Sequence, residues 1–190
     1  MNKIIWPLLL CAVLCGCGGG ETGSAVQEQY RTLETARLEA EVTSHTSTDS
    51  RTFTLLCSYD ADGDAVTTVT DPGELAGLTA VVSGTDMTLS SEGLQLPAGA
   101  SLDICPANCL PYLLRALADG YVLEQSSEAL DDTPCLRLAL DTTAPGGGKV
   151  LCAVWLDAEG LFPRYAEFSR NEQVVLTVKL LAFTCTTSEG

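Results

Sequence analysis

The sequence predicts an α+β domain built on a single, strongly curved antiparallel sheet of about ten strands, closed by one or two helices. Most segments alternate apolar and polar residues with a period of two, and only two segments have helical periodicity. The links between the alternating segments are short, and short links join antiparallel neighbours because a parallel pair needs a long crossover. Some strands, such as 149–156, are apolar on both faces, which indicates a sheet that is covered on two sides or lines a cavity.

The first 16 residues are typical of a secretory signal peptide. Lys3 precedes an apolar run over 4–14, and small residues then lead to Cys17. The run is too short for a transmembrane helix, which needs about 20 apolar residues. The segment Leu14-Cys15-Gly16-Cys17 resembles a bacterial lipobox, which predicts that Cys17 is lipidated and anchors the chain at the extracytoplasmic face of the bacterial cell membrane. The alternative is an ordinary signal peptide that releases a free protein.

Removal of residues 1–16 leaves 174 residues, which is the size of one domain. We expect residues 17–23 to be the lipidated cysteine and a flexible tether, and residues 24–190 to be the domain. The full chain has a net charge of −15, and the loss of Lys3 makes it −16. A surface this acidic repels nucleic acid, so no nucleic-acid partner is expected.

The first predicted element of the domain is a helix over 24–36, because Val26, Tyr30 and Leu33 recur at helical spacing. The period then changes to two, which is typical of half-buried strands. The strands predicted on this pattern are 38–42, 51–59, 64–70, 78–83, 87–91 and 94–96. Residues 97–107 are predicted to be irregular.

An acidic loop, Asp60-Ala-Asp-Gly-Asp64, separates the second and third predicted strands. A calcium-binding EF-hand loop starting at Asp60 would need glycine at its sixth position, where this chain has Ala65. Asp-Gly between two alternating segments is also a hairpin signal. The sequence therefore favours a turn over an ion site.

A second helix is predicted to start near Pro111 and to end at Gly120, since proline suits a first helical turn and glycine a C-terminal cap. Its apolar stripe consists of Leu110, Leu113, Leu114 and Leu117. Alternation resumes after this helix. The remaining predicted strands are 121–126, 135–141, 149–156, 161–169 and 173–185.

Six cysteines follow Cys17, and two interpretations of them stay open. In an exported protein they would form three disulfides, but most lie in apolar, strand-like runs where a buried free thiol acts as a small hydrophobic side chain. The six are Cys57, Cys105, Cys109, Cys135, Cys152 and Cys185. A zinc site is not favoured, because there is no Cys-x-x-Cys pair and His45 is the only histidine. No metal or other cofactor is predicted.

The order of these features resembles the superfamily of the lipoprotein carriers and receptors LolA and LolB and of lipid-binding lipoproteins such as LppX. Within it, the pattern is most similar to the LolA-like lipoproteins of endospore-forming bacteria, of which GerS is one. The segments that carry the resemblance are 27–38, 71–78, 94–97, 110–121 and 157–163.

This resemblance implies an incomplete β-barrel closed by helices, with an apolar cavity that binds acyl chains reversibly and without covalent catalysis. The apolar strand and helix residues are the candidates to line that cavity. They are Leu38, Val42, Phe53, Leu55, Val82, Leu89, Leu113, Leu117, Leu138, Val154, Phe168, Leu176 and Val178. The chain lacks a clear counterpart of a protruding, membrane-inserting apolar loop, which argues against direct lipoprotein transfer. The expected tether of about seven residues is too short for an anchored domain to travel between membranes, which favours a stationary binder.

Three functions are compared on this basis. The first is a lipid-anchored protein that binds a lipid or an acylated protein. The second is a module with the same fold and no functional cavity, which binds a cell-envelope or sporulation and germination protein. An enzyme is the least favoured, with no catalytic residue assigned. His45 lies in a polar turn, Cys105 and Cys109 have no histidine nearby, and Trp155 and Tyr165 would more commonly belong to a core than to a sugar site.

Overall fold

The computed structural model describes residues 19–100, 103–144 and 146–188. Cys17 lies outside these described residues. The described part contains two helices, α1 (Gly19–Arg31) and α2 (Cys109–Asp119), a short 3₁₀ turn (Gly73–Leu75) and eleven strands. The strands are β1 (Leu33–His45), β2 (Ser50–Asp60), β3 (Ala65–Asp71), β4 (Thr79–Ser83), β5 (Asp86–Ser91), β6 (Leu94–Ala100), β7 (Tyr121–Leu130), β8 (Thr133–Thr143), β9 (Lys149–Asp157), β10 (Pro163–Arg170) and β11 (Gln173–Thr187).

The eleven strands form one antiparallel sheet in the order β6-β5-β4-β3-β2-β1-β11-β10-β9-β8-β7. From β1 to β6, and again from β7 to β11, each strand pairs with the next strand along the chain. Strands β1 and β11 pair with each other and join these two halves of the sheet, with Val42 opposite Val178. Strands β6 and β7 remain as the two edges of the sheet, and α2 lies in the connection between them. The predicted fold class, an open antiparallel sheet with helices, is confirmed.

The alternation predicted for β1 is confirmed by its burial. Leu38, Ala40 and Val42 are fully buried, whereas Glu39 and Glu41 between them are exposed. Each fully buried side chain of the size of valine or leucine contributes about 1.5 to 3 kcal/mol. The sheet therefore has one apolar face that packs under the helices and one polar face.

Helix α2 packs on the apolar face of the sheet. Its side chains Leu110, Leu113 and Leu117 are fully buried, as the predicted stripe requires. Tyr112 lies across the sheet, with its ring centroid 5.9 Å from that of Phe168 and its hydroxyl 3.2 Å from the Thr142 hydroxyl. The predicted second helix is thus confirmed, and it positions the loop that precedes it over the sheet.

The predicted first helix, 24–36, is wrong at both ends. Helix α1 ends at Arg31, where the Thr32 hydroxyl donates to the carbonyl of Gln29 at 3.1 Å, and Leu33 already pairs with Thr187 of β11. Sheet pairing thus overrides the helical spacing of Leu33. At the other end α1 begins at Gly19, so residues 19–23, for which a flexible tether is predicted, are helical.

Strand β6 is longer than predicted and continues through Pro97 to Ala100, although 97–107 was expected to be irregular. Proline is tolerated here because β6 is an edge strand, whose outer side has no ladder to complete. Pro97 pairs with Thr88 of β5. Glu92 and Gly93 at the preceding hairpin both have positive φ, 48° and 82°, as a two-residue turn of this type requires.

Candidate functional site

An apolar pocket of about 200 Å³ lies between strands β2 to β5 and the loop that precedes α2. The strands contribute its floor, and the loop and the 3₁₀ turn form its sides. The residues that line it are Phe53, Leu55, Thr67, Val69, Leu75, Leu78, Ala80, Leu89, Cys105, Pro106 and Ala107. We call it the β2–β5 pocket. A lining with so few polar groups excludes charged ligands, because burial of an unpaired charge is costly.

Thr67 carries the one hydroxyl among the described residues that line this pocket. It is 2% exposed and lies opposite Cys57 in the register of β3 and β2. Its Oγ1 has no nitrogen or oxygen partner among the described residues. The hydroxyl lies beside the Cys57 thiol, which is a weak hydrogen-bonding group, so its oxygen remains available for one polar contact with a bound molecule.

The loop that covers the pocket, residues 103–108, is held by hydrogen bonds of Asn108 and by an ion pair of Asp103. The side chain of Asn108, itself 2% exposed, accepts a hydrogen bond from the backbone of Cys105 at 2.9 Å and donates to the Asp103 carbonyl at 2.8 Å. The Asp103 carboxylate forms an ion pair with Arg170 at the end of β10. The sequence pattern predicts only an irregular segment here and does not identify Asn108, Thr67 or Pro106 as site residues.

The thirteen residues predicted to line a cavity fall into two groups. Phe53, Leu55 and Leu89 line the β2–β5 pocket. The other ten are buried, with Val82 in the small cluster under β3 to β5 and the rest in the main core. Those ten are Leu38, Val42, Val82, Leu113, Leu117, Leu138, Val154, Phe168, Leu176 and Val178.

The six cysteines of the described residues are free thiols. Burial raises the pKa of Cys57 to about 11, an effect that the nearby Thr67 hydroxyl partly offsets. Burial likewise raises the pKa of Cys109 and Cys152 well above the usual range. These thiols are therefore protonated at neutral pH, and a protonated thiol is a poor nucleophile.

His45 lies at the end of β1, on the polar side of the sheet. Its Nδ1 is 3.1 Å from the Ser50 hydroxyl and its Nε2 is 3.3 Å from the Thr177 hydroxyl. Both ring nitrogens thus have hydroxyl partners. Cys105 and Cys109 belong instead to the loop and helix that pack over the opposite, apolar face, so His45 and these thiols are not brought together.

Trp155 and Tyr165 lie side by side on the polar face, on paired strands β9 and β10. Their ring centroids are 5.4 Å apart, and the Arg137 guanidinium lies 5.3 Å above the indole. The indole Nε1 donates to the carboxylate of Glu128 at 3.0 Å. These aromatic residues are therefore part of a surface cluster and do not belong to the core.

The acidic loop 60–64 is a turn between β2 and β3. The Asp60 carboxylate accepts a hydrogen bond from the backbone N–H of Asp62 at 3.0 Å, which closes the loop on itself. Among the described residues, no group of three or more His, Cys, Asp or Glu side chains is arranged to hold a metal ion. No helix in the described ranges is long and apolar enough to cross a membrane.

Neither a protein-family model nor a curated protein matches the sequence. Several solved structures match the fold. A DUF1329 family protein from Desulfovibrio piger is 12% identical, with 90% of this chain and 94% of that chain covered and a TM-score of 0.53. An uncharacterized conserved protein from Thermus thermophilus is 9% identical, with 89% and 88% covered and a TM-score of 0.54.

The LolA superfamily protein NE2245 from Nitrosomonas europaea also matches, at 12% identity, with 87% of this chain and 94% of that chain covered and a TM-score of 0.48. The two matches with TM-scores above 0.5, to the Desulfovibrio piger and Thermus thermophilus proteins, show that this fold occurs among solved structures. At these identities the likeness concerns the fold alone.

Proposed function

We propose that this chain is an exported lipoprotein that is lipidated at Cys17 and held at the extracytoplasmic face of a bacterial cell membrane. We further propose that its domain binds an apolar ligand, the acyl part of a lipid or of an acylated protein, without catalysis. The observation that carries the second proposal is the β2–β5 pocket, whose lining is apolar apart from the Thr67 hydroxyl and the Cys105 thiol.

The size of the pocket limits the ligand. Its volume of about 200 Å³ exceeds the roughly 150 Å³ of an apolar cavity that accepts benzene. It is smaller than the roughly 300 to 1,000 Å³ of pockets that enclose a drug-sized molecule. The pocket is therefore suited to the end of an acyl chain or to one small apolar group, with the rest of the ligand outside.

Two measurements test this binding. The protein extracted from membranes is denatured in organic solvent, and released lipids are identified by mass spectrometry. The delipidated protein is then titrated with a fluorescent fatty acid. We expect saturable binding with a stoichiometry of one. A protein that carries no lipid and shows no saturable binding would contradict the proposal.

A second candidate function, a protein-interaction module, is favoured by the uncharged edge strand β6. Leu94 and Leu96 on this strand are 65% and 58% exposed, and the strand contains no charged residue. An exposed edge of this kind is a template for pairing with another chain. A photo-crosslinking residue at Leu96 in the native host should then capture one envelope protein, and the same residue at the exposed Leu181 should not. Equal labelling at the two sites would count against this candidate.

A further inference from the structure

The start of the edge strand β7 presents two exposed apolar side chains. Tyr121 is 73% exposed and Leu123 is 55% exposed. The register of β7 against β8 shifts between Val122 and Glu124, so Leu123 is the extra residue of a bulge and has no partner in β8. Tyr121 and Leu123, which we call the β7 edge patch, thus project from the sheet while Val122 packs inward against the core.

Helix α1 runs beside this patch. A Cβ atom on Gly23 would lie 3.8 Å from a methyl carbon of Val122 and 3.0 Å from the side-chain oxygen of Gln125. Gly23 and Ser24 line one groove together with Tyr121. The first turns of α1 are therefore in contact with the same stretch of β7 that carries the patch.

The sequence distance from Cys17 to this contact is short. Gly19 is the first residue of α1, and Gly23 lies four positions further along the helix, a rise of about 6 Å. Cys17 lies two positions before Gly19, and two residue steps span at most about 7 Å. A lipid attached to Cys17 would therefore enter the membrane within about two helical turns of the β7 edge patch.

The charges around the patch are balanced, although the chain as a whole carries −15. Asp119 pairs with Arg31 at 3.5 Å and Asp141 with Lys149 at 3.5 Å. Arg137 pairs with both Glu124, at 3.1 Å, and Glu128, at 3.8 Å, so Arg115 supplies the fourth cation beside four carboxylates. Arg115, which lines the same depression as Tyr121, donates only to a backbone carbonyl, that of Gly84, at 2.9 Å among the described contacts. This edge thus lacks the excess negative charge that keeps the rest of the surface away from anionic headgroups.

We propose that the β7 edge patch rests on the lipid surface of the membrane that holds Cys17, with the Tyr121 ring at headgroup level and Leu123 against the acyl boundary. Tyrosine is enriched at this depth because its ring has an apolar body and a polar hydroxyl. The proposal rests on the lipidation proposed above. It gives the domain a fixed orientation, with the start of β7 towards the membrane.

Depth-dependent fluorescence quenching tests this orientation. The lipidated full chain is reconstituted into vesicles of phosphatidylethanolamine and phosphatidylglycerol that contain doxyl-labelled lipids. Tyr121→Trp is introduced in a Trp155→Phe background, and Leu94→Trp in the same background is the matched control, since Leu94 is similarly exposed but on the opposite edge. We expect blue-shifted emission and at least about twofold stronger quenching for Tyr121→Trp than for the control.

Two further measurements distinguish a failure of the proposed orientation from a failure of the proposed lipid anchor. Mass spectrometry of the N-terminal peptide and co-flotation with vesicles report on the anchor itself. If the peptide carries acyl chains and the protein floats, but both variants are quenched equally, the orientation is overturned and the anchoring stands. If the peptide carries no acyl chain and the protein does not float, the anchoring fails and the orientation fails with it. Circular dichroism spectra that match the parent show that both variants are folded.

Discussion

The side-chain oxygen of Asn108 accepts a hydrogen bond from the backbone N–H of Cys105 at 2.9 Å. The same carboxamide donates to the Asp103 carbonyl at 2.8 Å, so one buried side chain holds the loop that covers the β2–β5 pocket. The loop is a fixed wall of the pocket because its own polar groups are satisfied internally.

We expect Asn108→Ala to lower the free energy of unfolding by about 1 to 3 kcal/mol, because a donor and an acceptor in a partly buried site lose their partner. Urea denaturation followed by circular dichroism measures this change. The exposed Ser83→Ala is the control and should change stability by less than about 0.5 kcal/mol. An Asn108→Ala protein as stable as the control would show that the loop does not depend on this side chain.

Thr67→Val tests the buried hydroxyl. Valine has nearly the shape of threonine and removes a hydroxyl whose neighbour among the described residues is the Cys57 thiol, a weak hydrogen-bonding group. The loss of this weak contact costs less than the removal of a poorly satisfied buried oxygen gains, so we expect the free energy of unfolding to rise by about 1 kcal/mol. Thr68→Val is the matched control, because its hydroxyl lies 3.3 Å from that of Thr79 and its loss should not stabilise the protein. A destabilised Thr67→Val protein would mean that the hydroxyl has a partner in solution, such as bound water.

The alternating strands were predictable because every second residue of a half-buried strand is apolar, as Leu38, Ala40 and Val42 are in β1. The end of α1 was not predictable, because Leu33 fits the helical period. Only its pairing with Thr187, which is far away in the sequence, makes it a strand residue. The pocket was predictable only in part. An apolar residue such as Phe53, which lines it, has the same pattern in the sequence as Leu38, which fills the core.

Filling the pocket should separate ligand binding from stability. Ala80 is 3% exposed and lines the β2–β5 pocket, so Ala80→Leu has space for its extra atoms. We expect it to abolish binding of the fluorescent fatty acid without lowering the free energy of unfolding. Ala166→Leu is the matched control, since Ala166 is fully buried in the main core, where added volume costs about 1 to 3 kcal/mol.

The result of this pair decides whether the pocket is the binding site. Undiminished fatty-acid binding by a folded Ala80→Leu protein would place the ligand elsewhere. A loss of stability as large as that of Ala166→Leu would show instead that the pocket has collapsed in solution. Calorimetric titration of both variants distinguishes these outcomes, because it reports stoichiometry as well as affinity.

Alkaline pH should destabilise the protein through its buried thiols. Burial raises the pKa of Cys57 to about 11 from an ordinary value of 9.0, so the folded state keeps this proton at a pH at which the unfolded chain has released it. The stabilisation is complete below pH 9 and is lost as the pH rises through about 11, with a magnitude of about 2 to 3 kcal/mol. We expect Cys57→Ala to be less stable at pH 7 but to lose less stability between pH 9 and pH 11, as urea midpoints at each pH would measure. Ser58→Ala, at the exposed neighbouring position, is the control and should keep the pH dependence of the parent. If Cys57→Ala loses as much stability between pH 9 and pH 11 as the parent does, the pKa of Cys57 is not raised in the folded state.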